Sequence, residues 1–73
     1  MAARYTPKFQ YVLTDKLTGR FPKIDPSPIN EKQLTDSLGE TYIFDDRDNP
    51  NLKLGYYNAV YKHIAEFEPF YLS

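Results

Sequence analysis

The chain has 73 residues, which is room for one small domain that buries only about 60% of the surface its unfolded form exposes. It has no cysteine and one histidine, so the sequence predicts no disulfide and no zinc site of cysteine and histidine ligands, and seven tyrosines and five phenylalanines must supply much of the core. The net charge of −1 lacks the strong basic excess of proteins that bind nucleic acid through its phosphates, which argues against direct nucleic-acid binding.

The N-terminal part predicts a flexible arm and a first strand. Residues 1–7 show no hydrophobic periodicity, so we expect an arm over these residues and one compact domain over residues 8–73. In residues 8–14 the side chains alternate, with two aromatic residues and a leucine on one side, which is typical of a half-buried strand.

A hairpin is the expected next feature. Asp15 opens and Gly19 closes a short polar segment, which is typical of a turn whose last residue takes a positive φ. Residues 20–24 are therefore the expected return strand, paired with the first. Pro22 cannot donate a ladder hydrogen bond, so we expect this strand to be short and to lie at a sheet edge.

The middle of the chain predicts a connector, a short helix and a third strand. Residues 25–28 contain two prolines and should be stiff and extended. Asn30 is a good N-cap and Gly39 a good C-terminal stop for a short helix, on which two leucines four residues apart share a face. Residues 41–45 alternate and form the third strand candidate.

The last third of the chain predicts a second helix. Asp48 or Asn49 caps its start, and Pro50 takes the first helical position. Apolar side chains recur at every fourth position and predict its buried face: Leu52, Tyr56, Val60 and Ile64. The same amphipathic pattern assigns Tyr57 and Tyr61 to the core.

The sequence allows two structures at each end of this second helix. Gly55 weakens its first turns, so a short strand at residues 52–54 is the alternative there. Pro69 ends the helix, and residues 69–73 form an apolar tail that either packs on the domain or stays loose. The whole pattern predicts an α+β fold, with an N-terminal β-hairpin, a third short strand, a short helix and a C-terminal amphipathic helix packed on the sheet.

Charge is unevenly distributed along the chain. Residues 1–23 carry five basic residues and one acidic residue, a net +4, whereas residues 24–50 carry two basic and seven acidic residues, a net −5. The predicted arm and hairpin would bring basic and aromatic side chains together, and arginine and aromatic residues are favoured at interfaces. We therefore predict a partner-binding surface formed by Arg4, Tyr5, Lys8, Arg20 and Phe21. The alternatives are a solvated edge that prevents association between sheets, and an edge that accepts a strand from a partner.

No set of catalytic residues is indicated. A nucleophile paired with a base needs a histidine near a serine or cysteine, and His63 lies in the predicted helix of a chain without thiols. We therefore expect a structural role for His63 and no enzymatic activity, cofactor or small-molecule substrate. The acidic turn at residues 45–49 lacks the glycine and glutamate of a calcium loop and is expected to be a solvated turn at a helix N-terminus. No apolar run is long enough for a signal peptide or a membrane span, so we expect a soluble cytoplasmic protein.

The chain resembles a family of small phage proteins. Its length, its lack of cysteine, its many tyrosines and its opening residues 1–9, MAARYTPKF, are similar to the RNA polymerase-binding transcription regulators of lytic Xanthomonas phages. The resemblance implies bacterial RNA polymerase as the partner, in the cytoplasm of the host. It also implies inhibition of transcription initiation by displacement of the sigma factor, together with promotion of antitermination.

Two other classes of function stay open on the sequence. A nucleic-acid-binding accessory protein could use the same basic edge and aromatic side chains, and its binding would weaken steeply with salt. A minor structural subunit of a viral assembly would associate with itself as its concentration rises. The regulator, in contrast, is expected to be a monomer.

Overall fold

The computed structural model describes residues 4–24 and 33–73. Its elements in chain order are β1 (Gln10–Asp15), β2 (Phe21–Pro22), β3 (Leu34–Thr35), β4 (Phe44–Asp45), α1 (Pro50–Val60) and β5 (Phe67–Tyr71). Short strands in two sheets with one α-helix, all within these ranges, confirm the predicted α+β class. The predicted connector and the start of the predicted short helix fall on residues 25–32, outside the described residues, as do residues 1–3 of the predicted arm.

Strand β1 is the centre of a three-stranded antiparallel sheet with the order β4-β1-β5. It pairs with β4 over two residues and with β5 over five, from Tyr11 opposite Tyr71 to Asp15 opposite Phe67. Residues 11–15 are all buried, so β1 is covered on both faces. On the β4 side the ladder reaches only Gln10 and Tyr11, so Tyr11 is paired with strands on both sides while residues 12–15 are paired with β5 alone.

The predicted N-terminal hairpin forms its turn but not its ladder. Gly19 has a φ of 75°, and its N–H donates to the carbonyl of Asp15 at 2.8 Å, as the turn chemistry predicts. One further bond joins the Asp15 N–H to the carbonyl of Arg20 at 2.7 Å. Strand β2 then pairs with β3 in a separate two-stranded sheet. The prediction of a hairpin ladder was wrong, because β2 pairs with β3, and β1 pairs with the distant strands β4 and β5.

The predicted short helix was wrong over the part that the structure describes. Leu34 lies in β3 and is 8% exposed, whereas Leu38 begins a single 3₁₀ turn and is 40% exposed, so the two leucines do not share a buried face. The predicted third strand at residues 41–45 is present as β4 but reduced to its last two residues.

Helix α1 begins where the sequence predicts. The side-chain oxygen of Asn49 accepts the N–H of Asn51 at 2.9 Å, and Pro50 occupies the first helical position. Residues 52–54 are helical, so the alternative of a short strand there was wrong. The helix ends at Val60, well before the predicted stop.

The segment predicted to form the last helical turns instead forms a chain reversal and a strand. His63 has a φ of 72°, which takes the chain out of the right-handed helix. The N–H groups of Ile64 and Ala65 both donate to the carbonyl of Tyr61, at 2.9 and 3.0 Å. Strand β5 follows, because its pairing with β1 over five residues outweighs the local helical pattern. The sequence left open whether residues 69–73 pack on the domain, and residues 69–71 of this tail are part of the sheet.

The outer edge of β5 is partly closed. The side-chain oxygen of Asn58 accepts the N–H of Phe67 at 2.7 Å. Pro69 lies opposite Leu13, a position at which the alternating ladder directs the nitrogen away from β1, so no sheet hydrogen bond is lost. Two successive outward positions of this edge thus lack a free donor for another strand.

The core joins α1 and the following turn to the three-stranded sheet. It is mostly aromatic and consists of Tyr11, Leu13, Leu34, Phe44, Tyr61 and Phe67. Tyr57 is half-buried against it, which agrees with the sequence. The predicted buried face was wrong for three of its four residues, because Leu52 is 73%, Tyr56 64% and Val60 37% exposed. The fourth, Ile64, follows the helix and packs against the core. The helix is rotated so that a second apolar stripe, the one containing Tyr57, packs on the sheet.

Candidate functional site

The structure separates the predicted partner-binding residues into two groups. Arg4, Tyr5 and Lys8 precede β1 and are exposed, whereas Arg20 and Phe21 follow the turn at its other end and are half-buried. Five residue steps of β1 span about 17 Å at about 3.4 Å per residue. The two groups therefore form separate surfaces at opposite ends of the central strand.

The first surface, the arm-end cluster, consists of Tyr5, Lys8, Asp46 and Arg47. The hydroxyl of Tyr5 donates to the carboxylate of Asp46, whose other oxygen accepts the backbone N–H of Lys8 at 3.3 Å. The guanidinium of Arg47 lies 4.1 Å from the centroid of the Tyr5 ring. The described part of the predicted arm is thus in contact with the acidic turn that precedes α1.

Charged groups organise this cluster. The hydrogen bond to Asp46, together with desolvation and the negative charges of Asp46 and Asp45, raises the pKa of Tyr5 to about 12. Arg47 binds Asp45 through two nitrogens, at 3.1 and 2.7 Å, and this contact lowers the pKa of the Asp45 carboxyl. The guanidinium therefore lies between a carboxylate and an aromatic ring and is held in place on the surface.

The carboxylates of the acidic turn all contact groups of the protein. Asp45 pairs with Arg47, Asp46 accepts from Tyr5, and Asp48 lies 3.8 Å from the ammonium of Lys53. Within residues 4–24 and 33–73, no group of three or more histidine or acidic side chains is arranged to hold a metal ion. The turn thus connects the arm, β4 and the first turns of α1.

The second surface is a cleft at the turn end of β1. The cleft has two halves, of ≈ 350 and ≈ 370 Å³, and Lys16 lines both of them. The larger half is the more aromatic one and is lined by Phe21 and Phe70 beside Glu68. Phe70 is 56% exposed, and Leu17, at the tip of the turn, is 90% exposed. Lys16 pairs with Glu66 at 3.5 Å across the cleft rim.

Asp15 holds the turn end together. Its carboxylate accepts the hydroxyl of Thr18 at 2.7 Å and backbone N–H groups of residues 17, 18 and 66 at 3.3 to 3.5 Å. Burial alone would raise the pKa of Asp15, but these hydrogen bonds outweigh it and lower the pKa. One buried side chain thereby fixes both the turn after β1 and the segment that enters β5.

The third surface is the α1 outer face, formed by Leu52, Tyr56 and Val60. These side chains recur every four residues on the side of the helix that points away from the core. The sequence assigned them to the core, so this surface was missed as a site. The available signal was the presence of two apolar stripes on one helix, because a helix packed on a single sheet can bury only one of them.

The residues Asp46 and Arg47 of the arm-end cluster were also missed. The signal for them was the opposite charge of residues 1–23 and 24–50, which favours contact between the two segments as much as contact with a partner.

No protein-family model, curated protein or solved structure matches this chain, so neither a relative nor a fold neighbour assigns a site to it. The α-helix within the described ranges has 11 residues, and none of the helices there has the length and apolar character that a bilayer crossing requires.

Proposed function

We propose that this chain is a non-enzymatic docking protein that binds bacterial RNA polymerase. In this proposal it acts in the host cytoplasm, inhibits initiation by displacing the sigma factor and promotes antitermination. The similarity of its length, composition and residues 1–9 to phage transcription regulators supports the choice of partner.

One structural observation carries the docking role. Among the described residues, twelve large apolar side chains are at least 37% exposed and seven hydrophobic side chains are buried, so more of them face solvent than are buried. Scattered exposed apolar residues are ordinary, but eight of these twelve lie at the arm end, the turn end or the α1 outer face, and the others are Ile24, Leu38, Tyr42 and Ile43. Grouped apolar surface is typical of proteins that bind other proteins.

The arm-end cluster, together with the neighbouring Arg4, is the proposed primary contact. Arg4 and Lys8 supply charge, Tyr5 supplies an aromatic ring, and Arg47 holds that ring in place. Tyrosine and arginine are enriched among the residues that dominate binding energy. Arg20 and Phe21 would reach the same partner only across the length of β1, which a standard interface of about 800 Å² per partner can cover.

Charge reversal tests this placement. We expect Lys8→Glu to weaken binding to purified RNA polymerase by roughly tenfold, equivalent to about 1.4 kcal/mol, and to weaken inhibition of promoter-dependent transcription in parallel. Lys62→Glu, an equal charge change at an exposed position beyond the C-terminal end of α1, is the matched control and should bind like wild type. Affinity is measured by titration of labelled protein at fixed salt.

The outcomes separate the functional classes. Equal affinity of the two variants would contradict the arm-end placement, and absence of polymerase binding by the wild type would contradict the proposed function itself. Binding of single-stranded nucleic acid that falls steeply with salt would instead support the accessory-protein class. Association that rises with protein concentration would support the structural-subunit class.

A further inference from the structure

Helix α1 has more apolar surface than the fold uses. Leu54 and Tyr57 pack on the core from one side, while Leu52, Tyr56 and Val60 extend along the other side over two turns. No residue among those described covers Leu52 or Tyr56, which stay 73% and 64% exposed. Apolar residues at i, i+4 and i+8 match the spacing by which one helix contacts another.

Aromatic rings extend this face towards β4. Tyr42, 47% exposed, lies 6.0 Å from the Phe44 ring, which lies 6.2 Å from that of Tyr57, and Tyr57 lies 5.4 Å from Tyr56. These rings form a band that runs from the exposed Tyr42, through the buried Phe44 and the half-buried Tyr57, to the exposed Tyr56. Tyrosine supplies large contact area with little conformational freedom to lose, so such a band suits binding.

The charges of α1 and of the turn that follows it are positive. Residues 49–65 contain two lysines, one histidine and no acidic residue. Lys53 lies 5.2 Å above the Phe44 ring and pairs loosely with Asp48, while Lys62 at the far end is exposed and forms no ion pair within the described ranges. A partner with negative charge beside its apolar residues is therefore favoured.

A second copy of the chain does not fit this face well. The 11 residues of α1 extend only about 16 Å at 1.5 Å per residue. In an antiparallel pair over this length, Lys53 of one copy would face Lys62 of the other, and this contact between like charges disfavours self-association through the face.

We propose that the α1 outer face and Tyr42 bind an acidic amphipathic helix of a partner protein. The apolar residues of that helix lie along Leu52, Tyr56 and Val60, and its carboxylates face Lys53 and Lys62. This site uses no residue of the arm-end cluster. It therefore gives the protein a second contact, which can join another protein to the partner bound at the arm end.

A designed peptide tests the site directly. The probe is a helical peptide of about 14 residues, four turns, with leucines at i, i+3, i+4 and i+7 and glutamates elsewhere. Its addition to the full ¹⁵N-labelled chain should shift amide signals of α1 and residues 42–44, and a peptide with lysines in place of the glutamates should not. Leu52→Glu and Tyr56→Glu should each weaken binding by at least about tenfold, equivalent to about 1.4 kcal/mol.

Controls keep the result interpretable. Asn51→Glu adds the same charge to α1 away from the band and should bind the peptide nearly as wild type does. Because all three residues are exposed, the variants should keep the wild-type amide spectrum elsewhere. Shifts at other elements, equal binding of the lysine peptide, or concentration-dependent shifts of the same amides without peptide would overturn the proposal. Polymerase binding by Leu52→Glu is measured alongside, so that failure of this site and failure of the proposed function are told apart.

Discussion

Buried tyrosine hydroxyls have different surroundings in this core. The hydroxyl of Tyr11 donates to the carbonyl of Asp48 at 2.7 Å, which ties the central strand to the turn before α1. The hydroxyl of Tyr61 is fully buried and has no partner among the described residues. A buried hydroxyl without a hydrogen bond costs free energy, so the Tyr61 ring stabilises the core while its oxygen destabilises it.

Removal of the Tyr61 hydroxyl oxygen is expected to stabilise the fold. Tyr61→Phe keeps the edge-to-face contact with Phe67, whose ring centroid is 5.1 Å away, and should raise the free energy of unfolding by about 1 kcal/mol. Tyr11→Phe is the matched control and should lower it by about 1 kcal/mol, because the Asp48 carbonyl loses its donor. Urea unfolding followed by circular dichroism measures both, and a loss of stability in Tyr61→Phe would contradict this account.

At the scale of elements, the end of α1 determines the topology. A right-handed helix continued through His63 would carry Phe67 past the sheet, whereas the positive φ of His63 turns the chain back so that β5 can pair with β1. Histidine has no special tolerance comparable to that of glycine in this conformation. The sharp turn is therefore held by the packing on either side of it and not by the preference of the residue.

A glycine at this position should relieve the strain. We expect His63→Gly to raise the free energy of unfolding by about 1 kcal/mol, because a residue with a Cβ pays about 1–2 kcal/mol in the left-handed region. His63→Ala keeps the Cβ and should give no such gain. The midpoint of thermal unfolding at fixed pH compares the three proteins, and a lower midpoint for His63→Gly would show that the imidazole itself stabilises the fold.

At the scale of the whole molecule, the core is built from groups that can ionise. Burial, before nearby charges, raises the pKa of both Tyr11 and Tyr61 to about 12, and burial also raises the pKa of Tyr57. In the unfolded chain a tyrosine ionises near pH 10. The folded state therefore binds more protons than the unfolded state between about pH 10 and 12, so stability is complete below that range and is lost as pH rises through it.

Alkaline unfolding tests this. Each of the two buried tyrosines should remove about 1.4 kcal/mol per pH unit above about pH 10, so the denaturant midpoint should fall steeply there. Tyr61→Phe should reduce the slope by the contribution of one of these two hydroxyls. A midpoint that stays constant to pH 12 would show that these hydroxyls are hydrated in the folded protein.

The local features of the fold can be predicted from the sequence, whereas the pairing of its strands cannot. The cap at Asn49 and Pro50 and the turn from Asp15 to Gly19 depend on neighbouring residues, and both form as predicted. The partners of β1 are distant in the chain, so a turn signal next to β1 pointed to the wrong neighbour. The face of α1 that packs on the sheet follows from this pairing, which explains why Tyr56 was assigned to the core.

The sequence could predict which residues of the candidate site are exposed, but not how they are arranged in space. Arg4, Tyr5 and Lys8 are exposed, as expected for residues of a predicted binding surface. The hydrophobic periodicity of the sequence placed none of them on a buried face. Their separation from Arg20 and Phe21 depends on which strands flank β1, and this is again a long-range property. The contact of Tyr5 with Asp46 joins residues 41 positions apart, beyond the reach of any local pattern.

The pairing of β1 with β5 also sets the order of events during synthesis. On a ribosome, residues 10–15 emerge early, but their longest ladder needs residues 67–71, which are made last among the strands. Until then β1 has no contact with β5, and its apolar residues are open to association with other chains. Chaperones or rapid folding must prevent that association. The arm end, the turn end and α1 therefore acquire their final relation only after residue 71 has left the ribosome, so we expect binding to begin only after that point.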